Sequence, residues 1–151
     1  MECYLDKDLI FKNLDVKDYK DAINTLASEL YKKGLVKQDY VKEVLSREEI
    51  YPTGLYTGEI NVAIPHCDYQ FVNKKSIAVG ILKNPIKFKK MDEPTEDVEV
   101  SIIIMLAIDE PDNHIAYLTK VFNLVQNQEL LKELYLSVSE EKILELLNKN
   151  L

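Results

Sequence analysis

Val100-Ser101-Ile102-Ile103-Ile104-Met105-Leu106-Ala107-Ile108 holds one polar residue in nine. It is too short for a bilayer, which takes about 20 apolar residues. It also lacks the alternation of a strand that is wet on one face. Such a run reads as a central strand covered on both faces. After it, Asp109–Asp112 read as a turn. From Asn113 the apolar positions Ile115, Leu118, Val121, Phe122 and Val125 follow helical spacing. Two more helices are expected over Glu129–Leu136 and Ser139–Leu147. Ser139 is a fair N-cap, but Lys142 stands where a capping box needs an acid or amide.

Before the central run, Ile86–Phe88 and Ser76–Leu82 (SIAVGIL) read as strands, and Ile60–Ile64 as another that ends at Pro65-His66. Upstream of these, a loop is expected over residues 52–58. A helix is expected over about Gln38–Ile50, with Val41, Val44 and Leu45 inward; Pro52 closes it. An earlier helix follows Asp15. Its apolar face is Tyr19, Ala22, Ile23, Leu26, Ala27, Leu30 and Tyr31, and Gly34 is its stop. Leu9-Ile10-Phe11 fits a short strand. Helices on either side of buried strands predict an α/β fold, a three-layer domain.

The chain has 151 residues and no repeat, low-complexity tract or linker, which suits one domain over residues 1–151. Its net charge is −7. Generic nucleic-acid binding needs a basic face, so no nucleic-acid partner is expected. Stable insertion in a membrane is not expected either, and the N-terminus lacks a signal-peptide pattern. The two cysteines, Cys3 and Cys67, fit a reducing cytoplasm rather than a disulfide framework. The sequence sets no oligomeric state.

Unusual residues concentrate in REEIYPTGLYTGEINVAIPH, Arg47 to His66. Arg47 falls late in a helix, Thr53 and Gly54 in a tight loop, and His66 just beyond a strand. In open α/β sheets, ligand sites gather past the C-terminal ends of strands. A neutral imidazole has a lone pair and can take a phosphoryl group without a helper base. Arg47 would offer a permanently charged planar donor. The Thr53 hydroxyl and backbone N–H groups near Gly54 would offer further donors. Read singly, His66 is more often a polar strand-end residue than a reactive one, and Arg47 a solvated helix residue.

His114 is expected in the first turn of a helix capped by Asp112. There the positive helix end disfavours its protonation, and it could steady a group on His66. His66-Cys67-Asp68 cannot chelate well, because neighbours on an extended chain diverge, and Cys67 reads as a packing residue. A cysteine-protease pair lacks a third orienting residue. Lys83, Lys87, Lys89 and Lys90 read as edge lysines that discourage strand pairing. No glycine-rich nucleotide loop occurs.

The stretch from Arg47 to His66 closely resembles the active-site signature of phosphotransferase-system (PTS) enzyme IIA domains of the fructose–mannitol class. The match comprises an Arg-Glu pair ending a helix, Pro-Thr-Gly, and a strand ending in Ala-Ile-Pro-His. The upstream helix, SIAVGIL, VSIIIMLAI and the His114 helix extend it across nearly the whole chain. The resemblance implies a mixed sheet of about five strands with helices on both faces. It implies a phosphoryl carrier in sugar uptake that is loaded on His66 by phospho-HPr and discharges to a cysteine of enzyme IIB. Arg47 and Thr53 match phosphoryl-stabilising residues, and His114 the assisting histidine. No metal or cofactor is implied. Many mannitol- and fructose-type members have Gly after the phosphorylated His. Here Cys67-Asp68, with KNPIKFKKM and MLAI, looks more like the galactitol branch. Asp68 either orients the imidazole or caps the next turn. Leu55, Tyr56 and Tyr69 are the expected rim for transient protein partners. The rival expectation is a regulatory enzyme IIA-like protein that senses phosphorylation state. A third, a small-molecule module, would need a deep apolar pocket.

Overall fold

The computed structural model describes residues 3–151, except for the side chains of residues 111–114. In chain order the elements are β1 (Ile10–Leu14), α1 (Tyr19–Lys32), α2 (Tyr40–Ile50), β2 (Gly54–Leu55), β3 (Val62–Ala63), β4 (Ser76–Lys89), β5 (Asp97–Ala107), α3 (Pro111–Val125), α4 (Gln128–Leu136) and α5 (Glu140–Asn150). The strands form one mixed sheet ordered β1-β4-β5-β3-β2. β1 is parallel to β4 and β3 to β5, while β4–β5 and β2–β3 are antiparallel.

The apolar run is the middle strand, as expected. Its side chains divide between two cores. Ile103, Met105 and Ala107 pack with Ile23, Leu26 and Val44 of α1 and α2. Ile102, Ile104 and Leu106 pack with Val121, Leu131 and Leu147 of α3, α4 and α5. Both faces of β5 are therefore dry from Val100 to Ala107, which is why that stretch does not alternate. The parity slips at Ser101, where Val100 joins the core of Ile103. The Ser101 and Ile102 N–H groups both donate to the Asn61 carbonyl, at 3.0 and 3.3 Å, the mark of a bulge.

The expected pair of strands at Ser76–Leu82 and Ile86–Phe88 is one continuous strand. Ile81 pairs with Ile102 and Ile86 with Val100, so residues 82–85 of β4 lie opposite Ser101 alone. Pro85 sits in this irregular stretch, where no ladder N–H is required. β1 covers β4 only as far as Leu82. Lys83, Lys87 and Lys89 are exposed on the stretch beyond.

Helix ends follow local chemistry. Asp18 caps α1 by accepting the Asp21 N–H. Gly34 terminates it with φ of 73°. The Leu35 N–H donates to Leu30 and the Gly34 N–H to Tyr31, a Schellman end. α3 begins at Pro111, before the expected Asn113, and its cap position is Glu110, not Asp112. Proline suits a first turn, where its missing N–H has no partner to lose. Ser139 caps α5 as expected.

Candidate active site

β3 is shorter than the expected Ile60–Ile64 strand, yet the extended chain continues past it. The Leu106 N–H donates to the Pro65 carbonyl at 3.0 Å. His66 thus emerges at the C-terminal end of β3. Its Nδ1 lies 2.8 Å from the Ile64 carbonyl oxygen. A carbonyl only accepts, so Nδ1 carries a hydrogen, and in the neutral ring the lone pair is on Nε2. His66 is 7% exposed, and it lines a cavity of about 290 Å³.

Arg47 and Thr53 line the same cavity, so three residues singled out in the sequence converge. Antiparallel pairing closes the gap between Thr53 and His66. Gly54 sits opposite Ala63, and the Ile64 N–H donates to the Thr53 carbonyl. Gly54 is required here: a Cβ would lie 2.6 Å from the Lys89 carbonyl oxygen and 2.8 Å from a Val98 methyl. Leu118 and Phe122 of α3 form the opposite wall. His114 falls in the first turn of α3, and its side chain lies outside the described residues.

Arg47 occupies the last turn of α2, where a cation suits the helix dipole. Its guanidinium carbon is 5.4 Å from the centre of the Tyr51 ring. Thr53 differs from expectation. Its hydroxyl donates to Glu48 Oε1 and its N–H to Glu48 Oε2, both at 2.8 Å. Neither donor is directed at the cavity in this state.

Glu48 was not among the expected site residues. It is buried, and burial pushes its carboxyl up to about 7, against the lowering pull of the two Thr53 hydrogen bonds and of Arg47. A signal was present in the sequence. Tyr40, Val44 and Glu48 are spaced by four along α2, so the carboxyl continues a buried stripe.

The imidazole's described orienting group is the Ile64 carbonyl, not Asp68. Asp68 is exposed and makes no side-chain cap to the short turn at Tyr69–Phe71. Cys67 is buried against the α1–α2 core, and burial first of all pushes its thiol up to about 12. It is a packing residue, as expected, and at neutral pH its thiolate is scarce. Among the described residues, no group of three His, Cys, Asp or Glu could hold a metal. The expected rim residues Leu55, Tyr56 and Tyr69 do not line the His66 cavity; Tyr51, Met91, Leu118 and Phe122 do. Leu55 pairs with Val62, one step farther from His66 than Gly54.

An oriented histidine beside a guanidinium, at the strand end of a three-layer α/β domain, is suited to handling a transferable anion. The chain belongs to the EIIA 2 family of the phosphoenolpyruvate-dependent sugar phosphotransferase system, whose sequence model matches residues 3–150. It is 28% identical over 119 residues to the galactitol-specific EIIA component of Escherichia coli K12, covering 78% of this chain and 77% of that one. It is 30% identical over 104 residues to the transcriptional regulator ManR of Bacillus subtilis, covering 69% of this chain and 14% of the regulator. The fold matches the crystal structure of the mannitol IIA of E. coli, with a TM-score of 0.77, 24% identity, and 95% and 99% of the two chains covered. It also matches a chain of the E. coli complex of mannitol enzyme IIA and phosphorylated enzyme IIB, with a TM-score of 0.79, 23% identity, and 98% and 99% covered. As an EIIA component of that system the chain is a phosphotransferase. Among the described residues, no helix is long and apolar enough to cross a membrane.

Proposed function

We propose that His66 Nε2 is the atom that carries the phosphoryl group. The supporting observation is the hydrogen bond from Nδ1 to the Ile64 carbonyl, which leaves the lone pair on the other nitrogen. That lone pair attacks phosphorus in line as the bond to the donor's nitrogen breaks and its pair returns to the donor ring. Nδ1 keeps its hydrogen, and the loaded ring is cationic. The Ile64 carbonyl stabilises that charge. Arg47 meets the phosphoryl oxygens as a permanently charged donor. His114, from the start of α3, assists without being loaded. The step back to an enzyme IIB cysteine uses the same atoms in reverse order.

Residues 1–151 act as one EIIA domain in the cytoplasm, and galactitol or a related polyol is the transported substrate. The galactitol-specific relative, matched over most of both chains, supports that choice. Positioning and charge stabilisation suffice for the chemistry, so the reading calls on no metal or cofactor. The partners dock on the apolar rim of Tyr51, Met91, Leu118 and Phe122.

A regulatory role is the second reading, supported by the match to ManR. One experiment separates the two. Incubation with phospho-HPr places a single acid-labile phosphoryl group on His66, and none on His66→Ala. Addition of a galactitol-type enzyme IIB then removes it. A label that stays despite the cognate enzyme IIB favours the regulatory reading. Absence of any label ends the phosphoryl-carrier assignment of His66.

A further inference from the structure

We propose that Glu48 is a positioning residue that couples the loading of His66 to the uptake of a proton, by turning the Thr53 hydroxyl hydrogen toward the phosphoryl group. The proposal rests on His66 being the phosphoryl acceptor. Thr53 lines the His66 cavity, but its one hydroxyl hydrogen is given to Glu48 Oε1 and its N–H to Oε2. An ionised carboxylate can only accept. While Glu48 is ionised, the Thr53 hydroxyl can therefore offer the cavity lone pairs only, which repel phosphoryl oxygens. A protonated Glu48 has an O–H of its own. It can donate to Thr53 Oγ1 while its other oxygen keeps the Thr53 N–H. The hydroxyl hydrogen is then released to the cavity. One proton reverses the hydroxyl without moving a heavy atom.

The surroundings leave Glu48 able to change state near neutrality. Burial raises its carboxyl to about 7 against Arg47 and the Thr53 bonds. With Tyr19 of α1, Glu49 of α2 and Lys89 of β4 it lines a separate cavity of about 160 Å³, which gives protons a route in. Two of these neighbours are already engaged: Glu49 with Lys20 of α1 at 3.5 Å, and Lys89 with Asp97 at 2.9 Å. Thr53 connects Glu48 to the cavity that His66 lines. Loading His66 forms the Nε2–P bond, breaks the donor's N–P bond and retains the hydrogen on Nδ1. The phosphoryl group brings two negative charges and the ring one positive. This added net negative charge favours protonation of a nearby carboxylate. Solvent supplies that proton.

The test is the equilibrium constant for loading from phospho-HPr, measured from about pH 6 to 8.5 for the wild-type protein and Glu48→Gln. A glutamine holds the protonated pattern at every pH, since its carbonyl accepts the Thr53 N–H and its amide donates to Oγ1. Titrations of HPr and of the phosphoryl group are common to both proteins and cancel in the ratio. The ratio of variant to wild type is expected to be flat at the acid end and to rise above about pH 7, by up to about tenfold per pH unit. Labelled proteins with superimposable profiles would overturn the coupling and leave His66 as acceptor. An unlabelled wild-type protein would overturn both. A second measurement needs no variant. The Glu48 carboxyl ¹³C titration should shift upward by about half a pH unit or more on loading. An unchanged midpoint contradicts the proposal.

Discussion

The two walls of the His66 cavity are built on different principles. The wall from α2 and the connection to β2 is polar, with Arg47 and Thr53 at the surface and Glu48 bonded behind Thr53. The wall from α3 presents Leu118 and Phe122. Charge on a transferred phosphoryl group is met from the first side, while the second keeps water away and gives a partner an apolar surface. The difference also separates stability from function. Apolar residues at the cavity edge cost the fold nothing, whereas a buried carboxyl does.

The comparison can be broken most easily at Arg47. Arg47→Ala removes the charged donor, and phosphoryl transfer should fall by about 100-fold or more in a rapid-quench assay. Arg47→Lys should recover only part of this, because an ammonium lacks the planar fork. A variant lacking Arg47 that transfers at the wild-type rate would remove the polar wall from the account.

Glu48 gives the next largest effect, on stability. Its folded carboxyl, at about 7, lies above the ordinary 4.5. The folded protein therefore binds this proton more tightly than the unfolded chain. That contribution is fully present below about pH 4.5 and is lost as pH rises through about 7. Glutamine does not titrate. Glu48→Gln should thus gain stability relative to wild type between pH 5 and 8, by at most about 3 kcal/mol, in urea unfolding at each pH. Parallel curves would show that Glu48 is not a buried acid.

Thr53→Val keeps the shape and removes the hydroxyl. Transfer should slow by about tenfold, the value of one hydrogen bond to a charged group. The smallest effect belongs to the apolar wall, where Leu118→Ala should slow transfer only about threefold through weaker exclusion of water. A loss at Leu118 equal to that at Arg47 would mean that the two walls do not divide the work.

What the sequence revealed follows from how the physics is written in it. β5 was legible because both of its faces are dry, so nine residues carry the message without neighbours. Arg47, Thr53 and His66 were legible because one continuous segment holds all three. β4 was read as two strands because Lys83-Asn84-Pro85 looks like a turn; only its pairing across Ser101 shows a bulge within one strand. Glu48 was overlooked because a carboxylate late in a helix is ordinarily solvated. Its burial depends on Thr53 arriving from the next connection to bond it. Leu55 is near Thr53 in sequence, while the antiparallel register sets it one step farther from His66 than Gly54, so it does not line the cavity.

The most direct measurement is ³¹P–¹⁵N correlation NMR on the protein loaded from phospho-HPr with ¹⁵N-labelled histidine. Phosphorus should couple to Nε2 of His66, with Nδ1 still carrying its hydrogen. A phosphoryl group on Nδ1, or on any residue other than His66, would contradict the account.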